Sequence, residues 1–272
     1  MAASPAPFPR RGFSLSVAAG RQALLKPALQ VAALLLGIVV WQLVGEAKPR
    51  IVAPFTTVVM SGISLGHDGQ LVSILGSTVG EMLLGYLVAL VVGIPLAIAM
   101  ALNKGVERSA DMYVGWLLAI PEIALIPFFI VALGVDLAAQ LAVVVAFVLP
   151  VVVKNTLAGL VSIDASLLEM AASYEANKLQ VVFKLLLPGA LPMIMVGARM
   201  GLGRALLGVI GAGFFVQVFG LGGLIYLSQT TFNLGAMFFG ILMVMILAMA
   251  ASISLQAVDR RFTFWNKDAG SN

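Results

Sequence analysis

Three charged side chains lie inside long apolar stretches of the sequence: Glu122, Arg199 and Arg204. An arginine near the centre of a membrane helix costs roughly 2.5–3.5 kcal/mol, so neither arginine is expected to face lipid. Each arginine can attract an anionic solute, or it can pair with a carboxylate or with carbonyl groups at a helix end. Both interpretations stay open, and the three residues are candidates for lining a pathway through the membrane.

The residues needed for most catalytic chemistry are missing. The chain has no cysteine and one histidine, His67, which excludes thiol nucleophiles, thiolate metal sites and His-rich metal sites. It also has no G-x-x-x-x-G-K-S/T loop to bind nucleotide phosphates, no H-E-x-x-H helix and no G-x-S-x-G elbow. We therefore expect no catalytic residue, metal or cofactor in this chain.

The composition indicates an integral membrane protein. Of 272 residues, 61% are hydrophobic and 10% charged, and the mean hydropathy is +1.08. Soluble domains carry about 25% charged residues, so the composition argues against an ordinary water-soluble enzyme. The net charge of +4 comes from lysines and arginines scattered around apolar blocks, which suits lipid headgroups and not nucleic acid.

Apolar intervals of the right length predict about six transmembrane helices, because a helix needs roughly 20 apolar residues to cross the bilayer. The third interval contains Glu122 between two prolines and is expected to be kinked. The turn before the last interval is expected in the glycine-rich and polar run 220–233. The predicted spans are 27–45, 82–103, 110–134, 137–153, 190–217 and 235–257.

The distribution of lysine and arginine predicts that both termini are cytoplasmic. With this orientation, twelve basic residues fall on the cytoplasmic side and only Lys48 and Arg50 on the other. The predicted organisation is a cytoplasmic segment (1–26), a transmembrane domain (27–258) and a cytoplasmic tail (259–272). The longest internal loop, 154–188, then lies in the cytoplasm.

Two short helices are expected in this loop, at about 166–175 and about 178–187, the second ending at Pro188. Ser166 and Glu169 have the spacing of a capping box at the start of the first helix. A connector could be far shorter, so the helical hairpin is interpreted as a docking surface for another protein.

Four stretches together resemble the permeases of binding-protein-dependent ABC importers. Residues 169–192 (EMAASYEANKLQVVFKLLLPGALP) are similar to the Glu-Ala-Ala loop of that family, and residues 197–205 (GARMGLGRA) to the motif that follows it. Residues 121–127 (PEIALIP) and 220–222 (GLG) resemble the nitrate/sulfonate/taurine branch. The resemblance covers about residues 27–262.

This resemblance implies a multi-pass permease subunit of a bacterial inner membrane. Two copies would form the pore, separate ATPase subunits would bind ATP and Mg²⁺, and a periplasmic or lipid-anchored binding protein would deliver the solute. The loop would transmit the ATPase motion through Asp164, Leu167, Leu168, Glu169, Ala171, Ala172, Glu175 and Ala176.

The chain departs from the family pattern at two places. Glu175 stands where the family usually has glycine, and Met170 replaces the first alanine of the loop motif. Residues 209–213 (VIGAG) lack an acidic residue that is common in the branch. The solute is therefore expected to be a small anion, with sulfonates, taurine, nitrate and organic or aromatic acids all open.

Two other functional classes remain as alternatives. A secondary transporter would show inverted repeats with broken helices at matching positions, and only one kinked helix is found. A membrane anchor or assembly subunit without transport activity would have little reason to keep charges within its spans.

Overall fold

The computed structural model describes residues 15–216 and 220–262, and these ranges are helical with no strand. The predicted all-α class is confirmed. The helices are α1 (Leu15–Ala47), α2 (Phe55–His67), α3 (Gln70–Leu102), α4 (Lys104–Ala119), α5 (Glu122–Leu133), α6 (Leu137–Val161), α7 (Ala165–Ser173), α8 (Lys178–Val181), α9 (Leu187–Val216), α10 (Gly220–Thr230) and α11 (Leu234–Phe262), with a π-helical turn at Val182–Leu186.

Five helical segments of the described chain are long and apolar enough to cross a membrane. Helices α4 and α5 pass the same test together but are bent by 106° at the break between them, so they make a sixth span if counted as one. The prediction of about six spans is confirmed. The five segments are Leu29–Ala47, Gln70–Leu102, Leu137–Val161, Lys178–Val216 and Leu234–Ala257.

Two spans extend past the charged residues that were expected to end them. Helix α3 begins eleven residues before Glu81, and α6 continues beyond Lys154 to Val161. With the Gln140 amide oriented so that its nitrogen faces Glu81, it donates to that carboxylate at 2.7 Å. Lys154 forms an ion pair with Asp111. A charge with a partner does not have to lie outside the apolar layer, which explains the difference.

The predicted terminal segments are only partly described. Helix α1 already begins at Leu15, within the predicted segment 1–26, and α11 reaches Phe262, within the predicted tail 259–272. Residues 1–14 and 263–272 lie outside the described part of the chain. The domain boundaries therefore stay predictions.

Residues up to Thr57 form a compact unit of their own. Here the chain folds back along the end of α1, where the Trp41 indole N–H donates to the Ala53 carbonyl oxygen at 3.0 Å. The Gln42 side chain accepts from the Thr56 backbone N–H at 3.0 Å. These contacts hold residues 53–56 against the end of α1.

The second unit, Val58–Asn272, is built around α3, α6 and α9. Val144, Val148 and Val152 of α6 are fully buried between the other two helices. Across this core the Tyr86 hydroxyl donates to the Ala198 carbonyl oxygen at 3.0 Å. The core therefore fixes α9 against its two neighbours.

Glycines allow α9 to approach α6 closely. A Cβ on Gly201 would lie 3.0 Å from Val148, and one on Gly208 would lie 3.2 Å from the Val144 backbone. These small residues pack inside one chain, so their spacing needs no dimer contact to explain it.

The glycine-rich run expected to form the turn is a helix instead. Helix α10 spans Gly220–Thr230, and residues 231–233 form the short turn that separates it from α11. A Cβ on Gly213 would lie 2.9 Å from the Gly222 Cα, so glycine here serves close packing of α9 on α10. The Thr78 hydroxyl, which accepts from the Leu221 backbone N–H at 2.8 Å, satisfies a donor at the start of α10.

Candidate functional site

A cavity of about 920 Å³ lies at the break between α4 and α5 and extends along α9 and α11. Its walls are mostly aliphatic and aromatic. Among the described residues, three charged side chains line the cavity: Glu122, Arg199 and Arg204. The three candidate residues of the sequence analysis thus line one cavity.

The break that shapes the cavity follows from the sequence at Ile120 and Pro121. Ile120 has an extended backbone conformation, because Pro121 disfavours the helical region for the residue before it. Pro121 itself, with ψ of 114°, is also outside the helical region. Helix α5 then starts at Glu122, whose carboxylate is favoured by the positive end of the helix dipole. The bend of 106° brings this carboxylate to the cavity.

Glu122 forms an ion pair with Arg204 across the cavity wall. The Arg204 side chain is 35% exposed and that of Glu122 is 18% exposed, so the arginine side chain as a whole is the more accessible of the two. An unpaired charge would be costly in this apolar surrounding, and the pair offsets part of that cost for both groups. The arrangement presents cationic N–H donors to the cavity.

A second candidate site is the α7–α8 hairpin, which we define as residues 164–187. Asp164 caps α7: its carboxylate accepts from the Ser166 backbone N–H at 2.9 Å. This hydrogen bond, together with one from the Ser166 side chain, lowers the pKa of the Asp164 carboxyl below its ordinary value. The expected Ser166–Glu169 capping box is wrong, because the cap lies two residues earlier, at Asp164.

The turn after α7 closes with a pair of backbone hydrogen bonds. The N–H of Ala176 donates to the Ala171 carbonyl at 3.0 Å, and that of Glu175 to the Ala172 carbonyl at 2.9 Å. This is the Schellman pattern, which requires a left-handed residue at the position of Glu175. Glu175 has φ of 52°, a conformation that favours glycine.

The second helix of the hairpin does not end at Pro188, contrary to expectation. Asn177 and Gln180 form a capping box at its start, and the π turn Val182–Leu186 joins α8 to α9 without a break. A π turn shifts the hydrogen-bond register, which lets the helix accommodate a residue that lacks an N–H.

Helix α7 buries none of its residues against the rest of the chain. Leu167, Leu168 and Met170 are exposed, and Tyr174 beside them is 81% exposed. Of the predicted contact residues, Asp164, Glu169, Ala172 and Glu175 are also exposed, while Ala171 and Ala176 are half-buried.

The family model of the binding-protein-dependent transport system inner membrane component matches residues 89–264. This range includes the break, both arginines and the hairpin. The chain belongs to this family. It is a permease subunit of an ABC importer in the inner membrane.

Relatives of the permease support the same assignment. The putative aliphatic sulfonates transport permease protein SsuC of Escherichia coli is 32% identical, over 84% of this chain and 88% of that protein. The taurine transport system permease protein TauC of Escherichia coli is 27% identical, over 73% of this chain and 72% of that protein.

The fold is also found in a solved transporter. A chain of the MetNI methionine ABC transporter, in an inward-facing conformation, superimposes with a TM-score of 0.63. The match covers 71% of this permease and 95% of that chain at 22% identity.

Sequence reasoning missed the contribution of α11 to the cavity. Val244, Ala248, Ala251, Ser252 and Leu255 of the permease line it. Their spacing of three and four residues marks one helix face, but the sequence does not indicate which neighbour that face meets. Within the described residues no group of three or more His, Cys, Asp or Glu side chains is placed to hold a metal.

We predict that Glu175→Gly stabilises the turn of the hairpin. A non-glycine residue in the left-handed region costs about 1–3 kcal/mol, and glycine relieves this strain at some cost in chain entropy, for a net gain of about 1 kcal/mol. The added stability should appear as slower amide hydrogen exchange across residues 165–176. Ala172→Gly in the same helix is the matched control and should accelerate exchange, since glycine lowers helix propensity. Faster exchange in Glu175→Gly would contradict the strain argument.

The lowered pKa of the Asp164 carboxyl predicts a pH dependence for the start of α7. A carboxyl with a depressed pKa in the folded state stabilises that state above its ordinary pKa, and the effect is lost as the pH falls through the folded value. Asp164→Asn keeps an accepting oxygen but does not titrate. We measure amide hydrogen exchange at the start of α7 and divide the rate in the wild type by the rate in Asp164→Asn. This ratio should rise as the pH falls. A ratio independent of pH would refute the prediction.

Proposed function

We propose that this permease moves a small organic anion across the inner membrane, and that sulfonates are the class to test first. The observation that carries the proposal is the cavity, where two arginines and one glutamate stand among apolar walls at the break of the third span. Relatives named for aliphatic sulfonates and for taurine support the same class.

The proposed assembly contains two copies of the permease, two ATPase subunits that bind ATP and Mg²⁺, and a binding protein that delivers the solute. Both termini and the α7–α8 hairpin lie in the cytoplasm in this proposal. The basis is the family membership of the chain together with the excess of lysine and arginine on one side of the spans. A secondary transporter and a passive anchor receive no support from that membership.

In the proposal the hairpin contacts the ATPase. Its support is the surface of α7, which is apolar and exposed at Leu167, Leu168 and Met170 and carries Glu169 on the same short helix. Exposed apolar residues bordered by a charge are typical of a surface that another protein covers. The cap at Asp164 and the closed turn at Glu175 support the proposal, because transmitting a displacement requires a rigid hairpin.

The solute class is tested by titrating the binding protein of this transporter with alkanesulfonates, taurine, nitrate and aromatic acids. We expect at least one organic anion to bind and then to stimulate ATP hydrolysis by the assembled transporter in liposomes. The permease by itself should hydrolyse no ATP. Stimulation by neutral or cationic solutes alone would end the anion proposal.

The docking role predicts that Glu169→Lys weakens assembly with the ATPase. Reversing a charge in a covered contact costs about 2 kcal/mol or more, which is roughly 30-fold in affinity. Assembly is measured by co-purification and titration, and coupling by solute-stimulated ATP hydrolysis.

Asp68→Lys is the matched control, because it makes the same charge change on an exposed residue after α2, far along the chain from the hairpin. It should assemble and couple like wild type. Normal assembly and coupling of Glu169→Lys at an unchanged membrane level would remove the docking assignment.

A further inference from the structure

Helix α4 turns one exposed face away from the core of the second unit. Val114 is buried in a core cluster with Val153 and Leu160 of α6, and Val106 and Ala110 pack against the same cluster. Residues four apart lie on one face of a helix. The face opposite the core carries exposed residues that we define as the α4 stripe: Lys104, Arg108, Met112, Tyr113 and Trp116.

The start of α4 lies at the same end of the helix bundle as the α7–α8 hairpin. Asp111 pairs with Lys154 of α6, seven residues before this span ends at Val161. Helix α5, in contrast, packs Ile126 against Val143, which lies about 16 Å further into the span at the usual rise per residue. Helix α4 is therefore near the edge of the apolar layer, and α5 is deeper in it.

The cations of the stripe have no carboxylate on the same face. No ion pair joins Lys104 or Arg108 to a carboxylate of the described residues. Glu107 and Asp111 lie on the flank of α4, and all four charged side chains of this helix line a cavity of about 650 Å³. Because Asp111 pairs with Lys154, two cations remain against Glu107. This excess of one positive charge suits a single phosphodiester.

Tyr113 and Trp116 give the stripe the chemistry of a lipid–water boundary. They are 58% and 56% exposed, and their rings meet edge to face with centroids 5.6 Å apart. Tyrosine and tryptophan are enriched where lipid headgroups meet hydrocarbon, because each has an apolar ring and a polar tip. Arg108 precedes Trp116 by about 12 Å along the helix. A phosphate bound at the cations therefore leaves its acyl chains beside the rings.

A second copy of the chain is a poor partner for this face. In a two-fold interface the same patch meets itself, so Lys104 and Arg108 would face the cations of the other copy. Like charges brought together in an interface are unfavourable. An anionic lipid of the inner membrane supplies both the opposite charge and an apolar tail.

We propose that the α4 stripe binds an anionic phospholipid. Its phosphodiester lies at Lys104 and Arg108, and its acyl chains lie against Met112, Tyr113 and Trp116. Binding anchors α4 at the membrane surface and so fixes one arm of the 106° bend between α4 and α5. The inference goes beyond the proposed function, because it concerns the lipid around the permease and not the solute.

The lipid contact is measured by tryptophan quenching on the full-length permease in nanodiscs. Trp41→Phe and Trp265→Phe leave Trp116 as the single tryptophan. The nanodiscs contain equal parts of phosphatidylglycerol and phosphatidylethanolamine, and only one of the two lipids carries brominated, quenching acyl chains. We expect quenching at least about threefold stronger when phosphatidylglycerol carries the bromine. Equal quenching by both lipids would overturn headgroup recognition, and no quenching by either would show that protein covers the face and overturn the lipid contact.

Charge substitutions are tested with all three tryptophans in place, by native mass spectrometry with the same two lipids. Lys104→Gln with Arg108→Gln should weaken phosphatidylglycerol binding by about tenfold or more and leave phosphatidylethanolamine binding nearly unchanged. Lys104→Arg with Arg108→Lys keeps both charges and should bind like wild type. Lys48→Gln with Arg50→Gln is the matched control, because it removes two exposed cations that are outside the stripe. Wild-type binding in the Lys104/Arg108 glutamine variant, or an equal loss in the control, would overturn the site.

The headgroup and the acyl chains are separated with glycerophosphoglycerol, which has the phosphodiester of phosphatidylglycerol but no acyl chain. It should compete about a hundredfold less well than the lipid or worse, because it has no chain to place against the aromatic rings. Equal competition would reduce the stripe to a phosphate site and overturn the lipid proposal. Tyr113→Ala should weaken both lipids several-fold and leave the headgroup preference unchanged; a lost preference would overturn the assignment of Tyr113 to the acyl chains.

The lipid site and the proposed function fail separately. A phosphatidylglycerol preference that depends on Lys104 and Arg108, in a transporter that no organic anion stimulates, would reject the transport proposal and keep the lipid site. Anion-stimulated ATP hydrolysis in a transporter whose α4 shows no lipid preference would reject the lipid site and keep the transport proposal.

Discussion

A charged side chain inside a membrane span has to find a partner, and the structure around the cavity follows from this requirement. Arg204 sits on a helix fixed in the core, and its carboxylate partner comes from a helix start that exists only because the third span breaks at Pro121. In a straight third helix, the N–H groups that now form the first turn of α5 would donate to carbonyl groups of the preceding turn. Glu122 would then lie in the middle of a helix and not at its start. The break, the ion pair and the open volume beside them are therefore one feature.

The rigidity behind this feature comes from small residues. Helix α9 lies close to α6 at Gly201 and Gly208 and close to α10 at Gly213, so its backbone is held on two sides. Tyr86 adds a directional contact from α3 to the carbonyl oxygen of the residue before Arg199. Close packing of this kind resists small rotations, which keeps both arginines on the cavity side of α9.

The sequence predicted what depends on local composition and missed what depends on distant contacts. Apolar length predicts the spans, and prolines around Glu122 predict an interrupted helix. The helix at Gly220–Thr230 was missed because its glycines are typical of a turn. In the structure, Gly222 instead allows close contact with Gly213. The cap at Asp164 was missed because Ser166 and Glu169 have the spacing of a capping box, and Asp164 has no such partner at Leu167. That Arg204 and not another residue meets Glu122 depends on how α5 and α9 pack, which one sequence does not determine.

The π turn at Val182–Leu186 ties the angular position of the arginines to the hairpin. It adds one residue to a helical turn, so its conversion to a regular α turn would rotate all that follows by about 100° relative to what precedes. Lys178 to Val216 is one uninterrupted helical segment, and Arg204 lies about 39 Å along it from Lys178 at the usual rise per residue. Conversion of this turn would therefore change the angular position of Arg204 relative to the hairpin.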